Sequence, residues 1–568
     1  MTRWSGGAVR DGRADVQDDD AGGAEAHIFG AEPAAVEMAE VGAPGRDDGR
    51  RRQVLLGGLW SASSQLLPAA GTAALSVVVA RQLGSDALGR QSLIAYVNMA
   101  AAAVLASSLT SASLRTLGRL RGAGERQRLS WLSRWASGAH VAAGIVIAAG
   151  MATVGLVLHR DQASWLVLGL VSVVDAAAMG VALPVVLRDG WTRFGKLSLV
   201  FQLTAPPMGI AAVLLGGGIT GIFVADGLAA LGLLLTLGIV LRGRRSPTDE
   251  PVDPSAPRWP PSERGWGRLL PPVPFAATWF QFAMVELMVQ VVSRRVEFIV
   301  LGWRSTSEQI AMYSVSFVVV GLLSVVPAAV AMAAMPLIAA AEGSGALDAA
   351  ARHLHLAVRL GTSISMPLVA AVVTLGPTTI NLVYGPVYDQ AARLVPFAAL
   401  ALLATVASGV CGQFWLGQGK VRLVLWCGAA AGVVDLGLAI ALTPSMGAAG
   451  AVLANVVGQV SLAAFLLAVT VGRTGGFGWV PRNLVAMVLV SAVAGVTASL
   501  VIQLVTSFGE GRSAPLELVA VVVAGVAGTL AGMLTAVVVK VLDQDEAGWL
   551  QPLLPRPLAA ALRRMTTR

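Results

Sequence analysis

Stretches of about twenty apolar residues recur along this chain, and that repetition leaves few folds open. They lie near residues 54–80, 91–114, 136–158, 165–187, 197–215 and 219–241, and again near 273–303, 311–338, 357–380, 391–416, 421–443, 447–471, 482–506 and 515–541. A helix of about 20 residues rises roughly 30 Å, enough to cross the hydrocarbon core of a bilayer. The expected fold is therefore an all-α polytopic membrane protein with about 14 transmembrane helices. Composition agrees: only 13% of the residues are charged, against about 25% in a soluble domain.

The charges that remain report topology. A pI of about 10.2 could suggest nucleic acid, but the basic residues are overwhelmingly Arg and cluster in short gaps between apolar runs. With the gaps assigned alternately to two sides, most Lys and Arg fall on one side, the cytoplasmic side under the positive-inside rule. The gap holding Arg115, Arg119, Arg121, Arg126, Arg128 and Arg134, and the linker holding Arg242, Arg244, Arg245, Arg258, Arg264 and Arg268, fix this assignment. It predicts an even number of spans in the cytoplasmic membrane, with both termini cytoplasmic. Residues 1–49, polar and without apolar periodicity, are expected to be a disordered tail. Arg50 to Arg52 lead into an apolar run too long for a signal peptide, so a first span is expected there.

The two halves of the chain look like copies. Gly195, Lys196 and Leu199 are echoed by Gly419, Lys420 and Leu423; Gly218, Gly221 and Asp226 recur at the same spacing as Gly447, Gly450 and Asn455. A looser echo links the stretch from Leu88 to Leu93 with that from Ile310 to Val315. Six spans in each half make the copies parallel repeats, an arrangement that places a site between two lobes. The expected organisation is a first lobe over 50–241, a Pro- and Arg-rich linker over 242–271, a second lobe over 272–471, two further spans over 472–542 and a tail over 543–568.

One span carries charges where none should be. Residues 273–303 contain Glu286, Gln290, Arg294, Arg295 and Glu297. Read as one helix, Glu286, Gln290, Arg294 and Glu297 follow at spacings of four, four and three and share a face. Ionised groups at that depth are costly against lipid, so the stripe is expected to face a protein interior or a watery cavity. Arg suits a phosphate-bearing substrate because it stays charged and donates paired hydrogen bonds; the other reading is an Arg294–Glu297 pair that only locks the helix, or arginines that snorkel to the interface. The first span offers an uncharged stripe, Ser61, Gln65, Pro68, Thr72 and Ser76, suited either to sugar hydroxyls or to helix packing. Asp175, Asp226 and Asp435 are lone carboxylates deep in spans. Each is a candidate for binding Na⁺ or carrying a proton, with structural hydrogen bonding as the alternative.

Some of these residues are familiar. Val79 to Gly84 with Leu88 and Gly89, then Leu382 to Pro386 with Tyr388 and Ala391, then Gly417 to Lys420, then Pro444 with Gly447 and Gly450, resemble in order and spacing the landmarks of the polysaccharide (oligosaccharide-lipid) flippases of the multidrug/oligosaccharidyl-lipid/polysaccharide exporter superfamily. The resemblance covers roughly residues 52–540. It implies two pseudo-symmetric six-helix lobes around a central cavity, two additional C-terminal helices, and movement of an isoprenoid-diphosphate-linked glycan from the inner to the outer leaflet. It also implies that Asp435 lies where some relatives bind a cation.

Other chemistries find little support. The nearest look-alike of a phosphate-binding loop, Gly412 to Gly417, continues with Gln418 where Lys is needed. His353 and His355 have no metal-type companions, and Cys411 and Cys427 lie inside apolar runs. Catalysis is not expected, nor any cofactor beyond a coupling ion, Na⁺ or a proton. The expected activity is that of a flippase for a polyprenyl-diphosphate-linked oligosaccharide serving exopolysaccharide or another surface glycan, working by alternating access. Cavity residues are Arg294, Arg295, Glu297, Glu286, Gln290 and Gln65. Expected partners are the lipid-linked glycan, membrane lipids and glycan polymerase or assembly proteins, and not nucleic acid. A flippase for the lipid-linked peptidoglycan precursor and a cation-coupled multidrug exporter are the alternatives.

Overall fold

A computed structural model describes residues 47–122, 125–189, 191–242, 273–325, 347–418, 420–474, 479–507 and 514–539, with side chains of the first helix from residue 66 onward. The described residues are almost wholly helical. The first half holds α1 (Asp47–Ala102), α2 (Ser108–Gly122), α3 (Arg126–Leu158), α4 (Gln162–Asp189), α5 (Trp191–Leu214) and α6 (Gly218–Arg242). The second half holds α7 (Val273–Val292), α8 (Glu297–Arg304), α9 (Ser307–Ser316), α10 (Val318–Leu323), α11 (Leu347–Tyr384), α12 (Asp389–Gly417), α13 (Val421–Met446) and α14 (Ala448–Thr474). Two more, α15 (Trp479–Ser507) and α16 (Ala514–Val538), pack on each other and on α11.

Among the described residues, twelve helices are long and apolar enough to cross a membrane. The protein is an integral membrane protein with the polytopic fold expected of it. One long element, from Leu66 to Arg121, contains two spans. Gly84 divides them with a non-helical backbone (φ 86, ψ 176), a conformation open to a residue without a Cβ. Helix α1 begins at Asp47, so the last residues of the expected tail belong to it; residues 1–46, nearly all of the expected linker, and the expected tail 543–568 lie outside the described residues.

Helix pairing repeats between the halves. In the first, α1 packs on α5, α3 on α4, α4 on α6 and α5 on α6. In the second, α7 packs on α13, α11 on α12, α12 on α14 and α13 on α14. Corresponding turns share geometry as well: Gly218 and Gly447 both take positive φ, 57° and 56°. These two glycines match in the sequence echo, and backbone conformation explains why both halves keep glycine there.

The bundle has two chemically different ends. Arg119, Arg121, Arg242, Lys420 and Arg473 mark one, here termed the basic end. Gly84, Gly385 and Gly447 mark the other, the glycine end. At the glycine end, Leu75, Val79, Leu88 and Tyr96 of the first half share a buried cluster with Phe298, Leu301, Tyr313 and Phe317 of the second. Gly89 meets the backbone carbonyl of Ser307 so closely that no Cβ would fit. Toward the basic end, Leu109, Leu117 and Leu132 pack with Phe275, Phe282 and Val285, and Trp279 Nε1 donates to Ser108 Oγ at 3.0 Å.

Small residues set how closely these helices approach. Gly428 of α13 lies directly against Met288 Sδ of α7, whereas Gly437 on the same helix has open space where a Cβ would stand. Gly428→Leu is expected to cost about 1–3 kcal/mol by overpacking and to lower the thermal unfolding midpoint in detergent. Gly437→Leu should leave that midpoint unchanged.

Candidate translocation site

The charged span is not one helix. Helix α7 stops at Val292, residues 293–296 form turns, and α8 begins at Glu297. Arg294 N reaches back to Val289 O at 2.9 Å, one residue beyond helical register, and Phe298 N bonds Arg295 O at 3.2 Å. Arg295 holds φ at 71°, a left-handed backbone that costs a side-chain-bearing residue about 1–3 kcal/mol. Irregular backbone at membrane depth is tolerated where protein or a cavity surrounds it.

The break rearranges the expected stripe. Glu286 is half-buried and lies within electrostatic range of Arg294, whose side chain is exposed. Gln290 is buried and its Oε1 has no partner among the described residues. Arg295 is half-buried, with its guanidinium 4.3 Å from the centroid of the Phe317 ring. Helical geometry would have placed Glu297 beside Arg294 on one face; the turn carries it elsewhere.

Glu297 is completely buried, and its Oε2 accepts a hydrogen bond from the Tyr313 hydroxyl at 2.9 Å. Its carboxyl lies within hydrogen-bonding reach of the equally buried Asp435 carboxyl. Asp435 is pressed onto α14 at Gly458, where an added Cβ would stand 2.6 Å from Asp435 Cβ. Asn455 sits beside Glu297, directs its Nδ2 to Val292 O at 3.5 Å, and accepts from Gln459 Nε2 at 2.8 Å. Thr405 of α12 closes the chain of contacts by donating to Gln459 Oε1 at 3.2 Å. Asp435 is 14 residues from the start of α13, roughly 21 Å along it and so near the middle of the span.

Two carboxylates cannot hydrogen-bond to each other unless one carries a proton, because ionised oxygens only accept. Glu297 Oε1 and both Asp435 oxygens have no donor among the described residues. Buried oxygens of this kind call for a positive partner. Such a partner is either a shared proton or a cation held by Glu297, Asp435, Asn455 and the Val292 carbonyl. These donors are all oxygens, the type that suits a hard cation; among the described residues no three His, Cys, Asp or Glu side chains converge.

The first half contributes at the boundary. Tyr96 stacks on Phe298, centroids 5.0 Å apart, and donates to Gln290 O at 3.3 Å. Asp175 and Asp226 lie within electrostatic range of each other in this half, Asp175 exposed and Asp226 half-buried, apart from the Asp435 cluster. The side chain of Gln65 lies outside the described residues. Thr72 is exposed and Ser76 bonds the Tyr384 hydroxyl at 2.6 Å. Arg81 donates to the carbonyls of Val383 and Leu382 at 2.7 and 2.6 Å, and Ser92 to Ser314 at 3.1 Å. These bonds join the halves at the glycine end.

Residues 283–441 match the MatE family model. That stretch contains both carboxylates and the break. No protein of curated function matches the chain in sequence. The fold is that of solved multidrug and lipid carriers. A multidrug resistance MATE family transporter of the MOP superfamily, in an inward-facing conformation, superposes with a TM-score of 0.56 at 15% identity, covering 73% of this chain and 95% of that one. The lipid II flippase MurJ, in an inward closed conformation, gives 0.61 at 11% identity, covering 84% and 97%. A MATE protein in its straight conformation gives 0.53 at 15%, covering 75% and 97%.

Sequence reasoning named Glu297 and Asp435 for separate tasks, and the structure brings them together. It passed over Tyr313 and Gln459. Gln459 had a signal, since Asn455 and Gln459 stand four apart in an otherwise apolar helix and share a face. Tyr313→Phe, which removes the donor to Glu297 inside the bundle, is expected to cost about 1–3 kcal/mol. Thermal unfolding of the purified variant in detergent measures this.

Proposed function

We propose that this protein is a flippase that carries a polyprenyl-diphosphate-linked oligosaccharide across the cytoplasmic membrane for surface polysaccharide synthesis. The observation that carries the reading is the broken seventh span, which sets two arginines directly before a buried carboxyl pair. Arg294 and Arg295 supply the positive charge that a diphosphate needs on leaving the headgroup layer. Arg295 lies near Tyr96 of the first half and Glu297 of the second, so a diphosphate held there touches both. The basic end faces the cytoplasm in this reading, and bonds at the glycine end close the outer side.

Transport requires those outer bonds to part while the basic end closes. Glu297 and Asp435 couple this exchange to an ion. A cation or proton arriving at the pair draws α8 toward α13, and Arg295, two residues before Glu297, moves with it. Binding of substrate and of ion then bias the same element. A second reading, flipping of the lipid-linked peptidoglycan precursor, is favoured by the coverage of the lipid II flippase MurJ, which extends over 84% of this chain. Export of cationic drugs fits less well, because arginines at the break would repel a cation.

A deletion strain analysed for lipid-linked glycans separates these readings. Accumulation of a lipid-linked oligosaccharide on the cytoplasmic leaflet is expected. Accumulation of the peptidoglycan precursor, or drug hypersensitivity with normal glycans, would refute the proposal. In proteoliposomes, Glu297→Gln and Asp435→Asn should each slow gradient-driven transport at least tenfold, and wild-type transport that ignored both sodium and proton gradients would remove the coupling role. Cysteines replacing Ser92 and Ser314, in a background without Cys411 and Cys427, should form a disulfide that halts transport until it is reduced.

A further inference from the structure

On the basic-end side of the contact of Gly428 with Met288, α7 and α13 line a groove of about 530 Å³. That volume falls within the roughly 300–1,000 Å³ typical of ligand sites. Its floor is Phe280, Met284 and Leu425; its rim carries Gln281, Lys420 and Arg422. Phe280 is 64% exposed, and Gln281 and Arg422 are exposed as well. Lys420 Nζ stands 5.0 Å from the Trp415 ring centroid, and the Arg473 guanidinium 5.8 Å from the same ring, so a third cation stands close by.

The groove lies on the face of α7 turned away from the first half. At 100° per residue, Phe280, Gln281 and Met284 lie on the opposite face of α7 from Trp279, Phe282 and Glu286. Trp279 and Phe282 are among the side chains that pack with the first half. Met288 packs on Gly428 at a level of the two helices between the groove and the Glu297 and Asp435 pair.

We infer that this groove holds one anionic phospholipid of the leaflet at the basic end, its phosphate between Lys420 and Arg422, Gln281 donating to a glycerol ester, and an acyl chain over Phe280, Met284 and Leu425. Two cations on an apolar floor at the membrane surface complement a headgroup that is negative above and apolar below. Basic pockets between helices on the cytoplasmic side bind anionic headgroups in the same way. The occupant wedges the two helices that lead to Glu297 and Asp435, so it is a resident lipid rather than a transported one.

Native mass spectrometry of the purified full-length protein, titrated with phosphatidylglycerol or phosphatidylcholine, tests this. One phosphatidylglycerol is expected to bind in preference to phosphatidylcholine. Near a membrane surface each cation contributes a factor of about five, so Lys420→Gln with Arg422→Gln should weaken that binding about 25-fold. The charge-conserving pair Lys420→Arg with Arg422→Lys should retain it, and Leu425→Trp, which fills the floor, should lose it with all charges intact. Equal binding of the two lipids, or unchanged binding in the Gln double variant or in Leu425→Trp, would overturn the inference. So would displacement of phosphatidylglycerol by undecaprenyl diphosphate with the same sensitivity to these variants, because the groove would then be an entry point for substrate.

Discussion

Carboxylates are expensive inside a bundle of apolar helices, and two buried side by side are more so. Glu297 and Asp435 are both fully buried and within hydrogen-bonding reach of each other, so the region around them must supply positive charge or lose its packing. Much of the second half follows from that demand. Tyr313 turns its hydroxyl to Glu297; α14 has glycine at 458, where any side chain would collide with Asp435; and the seventh span breaks just before Glu297. A straight helix would have held Glu297 under Arg294. The left-handed residue Arg295 is the local cost of aiming the carboxylate at α13 instead.

The helices were legible because the membrane offers the backbone no other partner. A run of twenty apolar residues fixes a helix whatever its neighbours do, and so most span positions could be read from the order of the residues alone, whereas which helix packs on which could not. The turns at Gly218 and Gly447 were legible for a related reason, since a left-handed backbone selects glycine. The break at 293–296 was not. Helical periodicity is an average, and a single left-handed residue rotates everything after it. Arg295 has the ordinary chemistry of its neighbour Arg294, and nothing in its identity announces a turn.

The candidate site was legible in its parts and hidden in its assembly. Charge inside an apolar run singled out Glu297, Arg294 and Asp435, because such residues are rare enough to demand a reason. Pairing Glu297 with Asp435 needed the packing of α8 against α13, which no periodicity within either helix encodes. The groove at Lys420 and Arg422 was hidden for another reason. In sequence these are ordinary cations at a helix start, and only the placement of α7 beside them gives them an apolar floor.

Arg81 holds the glycine end by donating to two main-chain oxygens, those of Leu382 and Val383. A backbone acceptor is present whatever residue occupies the position. Substitution at 382 or 383 can therefore vary the apolar surface there without deleting the bond, while the same bond disappears with any change at 81 that removes the guanidinium. The clasp is genetically one-sided: its strength is written in one codon, and the segment it grips is free to drift.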